Sequence, residues 1–257
     1  MHIIFRTCDV VNAVNNSPRP FGLDKKNLIK VCFKSLYYSA QAIPHTITVL
    51  GDKLSSEMVD FFNDYNVNFS NGSYGNDESI RQCLNIAIGL PENEWVYFCE
   101  DDYLHQPDAF RIIANLIAEK ETALKLPAAS FIKSKFFNPG KTAIVLFPPD
   151  YPDRYLEKDI QQHFIFHSSD CHWRQVNNIT FSFITEVKTI KKHLPVFTKA
   201  SVGANDGFLS RKIFGNKNFK NKALCLSPLP GLSTHMHADT MTPLVDWEAL
   251  KNHYLTL

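Results

Sequence analysis

Three consecutive acids, Glu100-Asp101-Asp102, stand directly behind the apolar run Trp95-Val96-Tyr97-Phe98-Cys99. Carboxylates this close repel one another unless a cation or a basic group compensates them. Further acid and imidazole groups lie in irregular stretches: Asp52, Asp206 in Asn205-Asp206-Gly207, and the pair His235 and His237. Hard divalent ions take oxygen ligands, and Mn2+ accepts imidazole as well. An acid cluster with a distant loop histidine is therefore a ligand set for Mn2+ or Mg2+, with substrate phosphates filling the remaining positions. Each group also has an ordinary structural reading. The triad can be a solvated turn, Asp206 a helix N-cap, Asp52 a turn residue, and either histidine a solvated loop side chain.

The elements around the acids decide where they point. Residues 95–99 are short, aromatic and β-branched, which reads as a buried strand, and Pro107 suits the first turn of a following helix. The acids then sit at the carboxyl end of a buried strand, where open α/β sheets place ligands. In extended chain Glu100 and Asp102 point one way, roughly 7 Å apart, and Asp101 the other. Upstream, strands over 3–6, 45–50 and 67–69 alternate with helices over 24–42, 55–65 and 76–88, and a helix over 108–124 follows the acids. That alternation predicts an α/β fold around a parallel, doubly wound sheet. No Gly-x-Gly-x-x-Gly follows the first strand and no Gly-Lys-Ser/Thr loop occurs, which argues against dinucleotide and P-loop versions.

The second half reads less regularly. Strands are expected over 128–137 and 142–147 around the turn Asn138-Pro139-Gly140, then an exposed, mobile loop over 148–154. Further strands over 164–167 and 178–183 flank an irregular stretch. A helix over 185–194, a short helix over 208–214, a basic loop over 216–222 and a strand over 223–226 follow. An irregular tail over 228–242 leads to a terminal helix over 244–254. Within the irregular stretch, Cys171-His172-Trp173-Arg174 has two readings. Exposed, Trp173 and Arg174 stack on and orient a sugar or phosphate; buried, Trp173 is core. His163, His167, Cys171 and His172 have gaps that suit Zn2+ on a helix, but the Phe-Ile-Phe run between them is β-like and would not gather them.

Lys+Arg (27) and Asp+Glu (26) nearly cancel, so there is no electrostatic case for nucleic-acid binding. No window of about 18 apolar residues predicts a membrane span, and the start lacks the layout of a signal peptide. The six scattered cysteines read as reduced core thiols, which makes a cytoplasmic location the expectation.

The spacing of these motifs resembles the GT-A class of nucleotide-sugar glycosyltransferases, from the first strand to the tail. Glu100-Asp101-Asp102 is similar to that family's Asp-x-Asp motif in its Glu-Asp-Asp form, and residues 100–110 resemble the corresponding segment of N-acetylglucosaminyltransferase I. The resemblance implies one GT-A, Rossmann-like domain over 1–257 with a mixed, mainly parallel central sheet flanked by helices. Residues 1–125 would form the nucleotide-binding half and 126–257 the acceptor-binding half. It implies Asp102 on the metal, with Glu100 and Asp101 at ribose or sugar hydroxyls or on the metal through water. Pro230-Gly231-Leu232-Ser233-Thr234-His235 resembles the C-terminal metal histidine, which favours His235 over His237. Asp52 would be the uracil- or ribose-contacting acid, and Arg6 and Thr7 would join the donor-binding set. Arg81 is carried over from an Arg-Asn pair of family 2 enzymes, although here Arg81 and Asn85 are not adjacent. Gly203-Ala204-Asn205-Asp206-Gly207-Phe208 resembles the acidic pair that supplies the general base, with Asp206 as the carboxylate.

The activity implied is Mn2+- or Mg2+-dependent, inverting transfer from a UDP-sugar to a glycan or other hydroxyl acceptor, with peripheral membrane association permitted. Acceptor recognition would fall to 148–154, Trp173 and 216–222. A sugar-1-phosphate nucleotidyltransferase is the rival of similar fold, but it wants a glycine-rich basic loop behind the first strand, and no glycine occurs before Gly22. A non-catalytic nucleotide- or glycan-binding homologue is the rival from another class.

Overall fold

The computed structural model describes residues 1–10, 19–125, 142–156, 164–214 and 222–257. The strands are β1 (His2–Thr7), β2 (Thr46–Asp52), β3 (Asn68–Gly72), β4 (Trp95–Glu100), β5 (Tyr103–His105), β6 (Ile144–Leu146), β7 (Ile165–His167), β8 (His172–Val176), β9 (Phe183–Glu186), β10 (Leu224–Leu229) and β11 (Ser233–His235). The helices are α1 (Lys25–Ala40), α2 (Ser56–Asn63), α3 (Gly75–Ile88), α4 (Ala109–Ala123), α5 (Asp153–Leu156), α6 (Val187–Lys192), α7 (Leu194–Ala200), α8 (Asp206–Ile213) and α9 (Trp247–Thr256).

Among the described residues nine strands form one sheet in the order β3-β2-β1-β4-β9-β6-β10-β8-β7, while β5 and β11 make a separate two-stranded ribbon. β3, β2, β1 and β4 pair in parallel. Only β9 and β8 run against the other strands of this sheet. The expected α/β architecture, a mixed and mainly parallel sheet flanked by helices, is therefore present. Because β9 lies between β4 and β6, one sheet runs through both halves of the chain.

Alternation along the strands sets the layers. Ile3, Phe5, Tyr97 and Cys99 share a core with Phe33 of α1, Phe62 of α2 and Phe110 of α4. Ile4, Val96 and Phe98 share the opposite core with Ile80 of α3, Ile190 of α6 and Leu209 of α8. Strands buried on both faces must be apolar at consecutive positions, which is why residues 95–99 carry no polar alternation. A third cluster joins Leu104 of β5 and Met236 beside β11 to Leu28 and Val31 of α1 and to Trp247 and Tyr254 of α9. It braces the ribbon against the body.

The first half follows the sequence expectation and the second departs from it. The strand over 128–137, the turn Asn138-Pro139-Gly140 and the basic loop up to residue 221 lie outside the described residues. Residues 148–154 are not an exposed loop. Asp150 is fully buried, bonded to Arg174 and Tyr155, and Pro149 bridges to Ser233. The stretch read as irregular holds β8, whose Trp173 is fully buried and whose residues pair with β10. β9 takes Phe183–Glu186, where a helix was expected from Thr185, because antiparallel partners on both sides, β4 and β6, capture it. All six cysteines are free, and Cys32, Cys83, Cys99 and Cys225 are buried. No described helix is long and apolar enough to cross a membrane.

Candidate active site

Parallel pairing of β1 with β4 sets Arg6 opposite Glu100 at the carboxyl ends of both strands. Arg6 Nη2 donates to Glu100 Oε1 at 2.5 Å, and Nη1 donates to Asn76 Oδ1 and Ser79 Oγ of α3 at 3.1 Å each. The next residue faces the other layer. Asp101, 8% exposed, accepts on Oδ2 from the Thr7 hydroxyl and the Cys8 N–H, both at 3.0 Å. On Oδ1 it accepts from Lys25 Nζ at 2.6 Å. Each acid of the triad thus has its own basic partner: Arg6 for Glu100, Lys25 for Asp101 and His235 for Asp102. The mutual repulsion expected of three carboxylates is relieved by side chains of the chain itself.

Asp102 and His235 are 133 residues apart and meet through the ribbon. Tyr103 of β5 pairs with His235 of β11, and the Met236 N–H donates to the Asp102 carbonyl at 2.7 Å. The turn into β11 is close-packed: a Cβ at Gly231 would lie 2.5 Å from Thr242 Cγ2 and 2.8 Å from the Asp150 nitrogen. His235 Nε2 lies 3.0 Å from Asp102 Oδ2, and Nδ1 lies 3.3 Å from the Thr240 hydroxyl. The His235 ring is held between Tyr103, at 5.0 Å and 8°, and His237, at 5.3 Å and 21°. Burial pushes the Asp102 carboxyl up and the His235 imidazole down, but their attraction outweighs burial in both. Asp102 is held below the ordinary carboxylate range and His235 above the ordinary imidazole range.

Asp102 Oδ1 is buried without a hydrogen-bond partner. The orphaned Asp102 Oδ1 suits a divalent ion of the Mn2+ type; for His235 to join it, Nε2 would have to give up the proton it now shares with Asp102 Oδ2, while Thr240 at Nδ1 keeps the ring oriented toward the acid. Among the described residues no three His, Cys, Asp or Glu side chains gather as a metal cage. Asp102 and His235 are the two side chains that would hold such an ion here; His237 stacks on the His235 ring.

α8 brings in the fourth acid. Its N-cap is Asn205, whose Oδ1 accepts the Phe208 N–H at 2.9 Å. Asn205 does the capping, so Asp206 is the first helical residue and its carboxyl is not used as a cap. The chain reaches it through Gly203 and Ala204, both at positive φ (67° and 45°). Asp206 Oδ1 is buried with no hydrogen-bond partner. Burial raises its pKa, the Glu100 charge raises it further, and Arg6 and His235 pull it back, leaving it at about 7. These influences place Asp206 in one electrostatic neighbourhood with Glu100, Arg6 and His235. A partly buried carboxyl poised near neutrality is suited to accepting a proton.

A line of hydroxyls joins the parallel edge to the ribbon. Tyr151 OH and Tyr103 OH lie 2.8 Å apart, and Tyr103 OH lies 2.9 Å from Thr180 Oγ1. The Ser182 N–H donates to Thr180 Oγ1 at 3.2 Å, and Ser182 Oγ donates to Glu100 Oε2 at 3.3 Å. This chain fixes the Glu100 carboxylate and the Tyr103 ring against which His235 stacks.

Other residues expected at the site have different work. Asp52 accepts the Tyr74 N–H at 2.6 Å and the Gly75 N–H at 3.0 Å, so its two oxygens secure the start of α3. Arg81 pairs with Glu78 at 2.7 Å on α3. Two residues from Ser79 on a helix it points to nearly the opposite side, and Asn76 and Ser79 meet Arg6 instead. Trp173 donates its indole N–H to Ser168 Oγ inside the core, which leaves no face for a sugar. Arg174 pairs with buried Asp150 and lies over the Tyr155 ring at 4.5 Å. Asp101 has both oxygens occupied by donors of the chain. With His163 outside the described residues, His167 and His172 are opposed across β7 and β8.

Lys25, Tyr151, Thr180 and Ser182 were not foreseen as site residues. For Lys25 one sequence signal existed: it opens a helix, where the dipole favours acids over bases. The hydroxyls carry no signature of spacing, because they come from segments brought together only by the fold.

No protein-family model and no curated protein matches the chain. Similar solved structures include S. aureus TarS, at 12% identity and TM-score 0.47 over 88% of this chain and 35% of TarS. The galactosyltransferase LgtC, solved with donor and acceptor sugar analogues, aligns at 11% identity and TM-score 0.42 over 81% of this chain and 69% of LgtC. 4-Diphosphocytidyl-2C-methyl-D-erythritol synthase aligns at 9% identity and TM-score 0.41 over 100% of this chain and 98% of its own. The chain thus spans about a third of the TarS chain it matches.

Proposed function

We propose that the protein is a glycosyltransferase that moves a sugar from a nucleotide donor, of which UDP-sugars are the first to test, to a hydroxyl acceptor with inversion. The observation that carries this reading is Asp206: a half-buried carboxyl with one orphaned oxygen, poised at about 7, within electrostatic reach of Glu100, Arg6 and His235. Asp206 takes the proton of the acceptor hydroxyl as its oxygen attacks the anomeric carbon. The bond from that carbon to the diphosphate breaks, and one displacement inverts the centre. General-base catalysis of this kind contributes about 10^2 to 10^4 in rate. A divalent ion, Mn2+ or Mg2+, held by Asp102 and His235 would supply Lewis-acid stabilisation of the departing diphosphate. Arg6 and Glu100 hold each other at the strand ends, and the hydrogen-bonded line from Tyr151 to Ser182 fixes the Glu100 carboxylate.

The test is release of nucleoside diphosphate from a panel of nucleotide sugars with Mn2+. Turnover should fall by about 10^2 to 10^4 in Asp206→Asn while nucleotide affinity stays within about twofold. Nucleotide binding without turnover on any donor and acceptor would leave a binding protein instead.

A further inference from the structure

Arg6, Lys25 and His235 each pair with one acid, but they differ in what they have left to give. Both terminal nitrogens of Arg6 are engaged, by Glu100, Asn76 and Ser79. Both ring nitrogens of His235 are engaged, by Asp102 and Thr240. The Lys25 ammonium has three donors, and its one hydrogen bond among the described residues goes to Asp101 Oδ1. Asp101 keeps two further donors on Oδ2, from Thr7 and Cys8. Lys25 can therefore turn toward an incoming anion without stranding the buried Asp101 carboxylate.

Lys25 also lies at the right edge. It reaches across from the start of α1 to the acids at the end of β4, and its side chain is 14% exposed, so the ammonium is not sealed in the core. Its charge is felt at Asp102 as well as at Asp101. An ammonium binds phosphate as a point charge with rotatable donors and needs no fixed fork. Resting on the glycosyltransferase reading, we infer that Lys25 binds the diphosphate of the nucleotide donor, so that part of the nucleotide affinity needs no metal.

The experiment is calorimetry on the full chain with UDP, CDP, GDP and ADP, each against its nucleoside, in EDTA and in Mn2+. In EDTA the preferred diphosphate should bind more tightly than its nucleoside. Lys25→Met should weaken the diphosphate by about ten- to a hundredfold, the size of a charge-assisted contact, and leave the nucleoside unchanged. Lys25→Arg should keep most of the affinity, and unchanged nucleoside binding reports that each variant is folded. Equal binding of diphosphate and nucleoside in EDTA by the unaltered protein overturns the inference without need of a variant. So does a Lys25→Met protein with unchanged diphosphate affinity; in both cases Mn2+-dependent binding would leave the glycosyltransferase reading standing. Failure of every nucleotide to bind, with or without Mn2+, removes both.

Discussion

Glu100 and Asp102 are two residues apart, yet their partners reach them by opposite means. Arg6 meets Glu100 across a single step of parallel sheet, fixed by backbone pairing along β1 and β4. His235 meets Asp102 from 133 residues away, through a ribbon with only three paired positions on each strand. Backbone register tolerates side-chain change. The ribbon depends on close packing at Gly231 and on Leu104 and Met236 in the third core cluster, and Tyr103 and Leu232 share the first core cluster with Trp173 of β8 and Leu226 of β10. One candidate edge thus has a robust side and a fragile side.

The largest effect is expected on the fragile side's support. Trp173→Ala deletes a fully buried indole opposite Pro228 of β10 and should cost about 3–5 kcal/mol in urea unfolding. At a temperature where the variant is folded, nucleotide affinity should be unchanged. A large loss of affinity with stability intact would reverse the contrast and make Trp173 a ligand platform. Gly231→Val forces a branched side chain into space held by Thr242 and the Asp150 backbone, and should cost about 1–3 kcal/mol. Because the strain falls beside β11, it should also weaken Mn2+-dependent nucleotide binding more than binding in EDTA. Equal weakening in both would separate the ribbon from the metal.

The robust side should respond less. Thr7→Val removes one of three donors to Asp101 and should cost about 1 kcal/mol, since Cys8 and Lys25 remain. Unfolding midpoints of Thr7→Val and Gly231→Val, measured together, test the asymmetry directly. The last prediction concerns pH. The folded Asp206 carboxyl titrates at about 7, above its unfolded value, so its contribution to stability is full at low pH and is lost as pH rises through 7. Asp206→Asn should therefore raise the unfolding temperature relative to the unaltered protein at pH 8.5 and much less at pH 4. The chemical step has the opposite dependence, rising with pH through about 7, because only the ionised carboxyl accepts a proton. A rate that is flat across pH 6–8 would remove Asp206 from the base role.

Legibility in the sequence follows the same division. β1 to β4 and the helices between them were readable because local pattern and sheet burial agree there: residues 95–99 are apolar without alternation, and Asp24 caps α1 as expected. Residues 148–154 read as exposed because Pro and charge usually mean exposure, yet Asp150 is fully buried. Asp150 is buried only because Arg174, from another strand, and Tyr155 satisfy it. The resemblance assigns Asp52 and Arg81 to the donor; the contacts of both in the structure are with the start and the exposed face of α3.

The sequence by itself determined the acid triad at a strand end and the α/β class, which follow from the apolar pattern of buried elements, a local property; the strand period does not carry through the triad, because β4 ends at Glu100 and Asp101-Asp102 form a turn. Tertiary structure alone decided that each acid has a basic partner, that Asn205 rather than Asp206 caps α8, and that Asp206 shares a field with Glu100, Arg6 and His235. Charge pairing, burial and proton affinity depend on distances between segments far apart in the chain. Those distances are fixed only when the sheet, the ribbon and the helices pack.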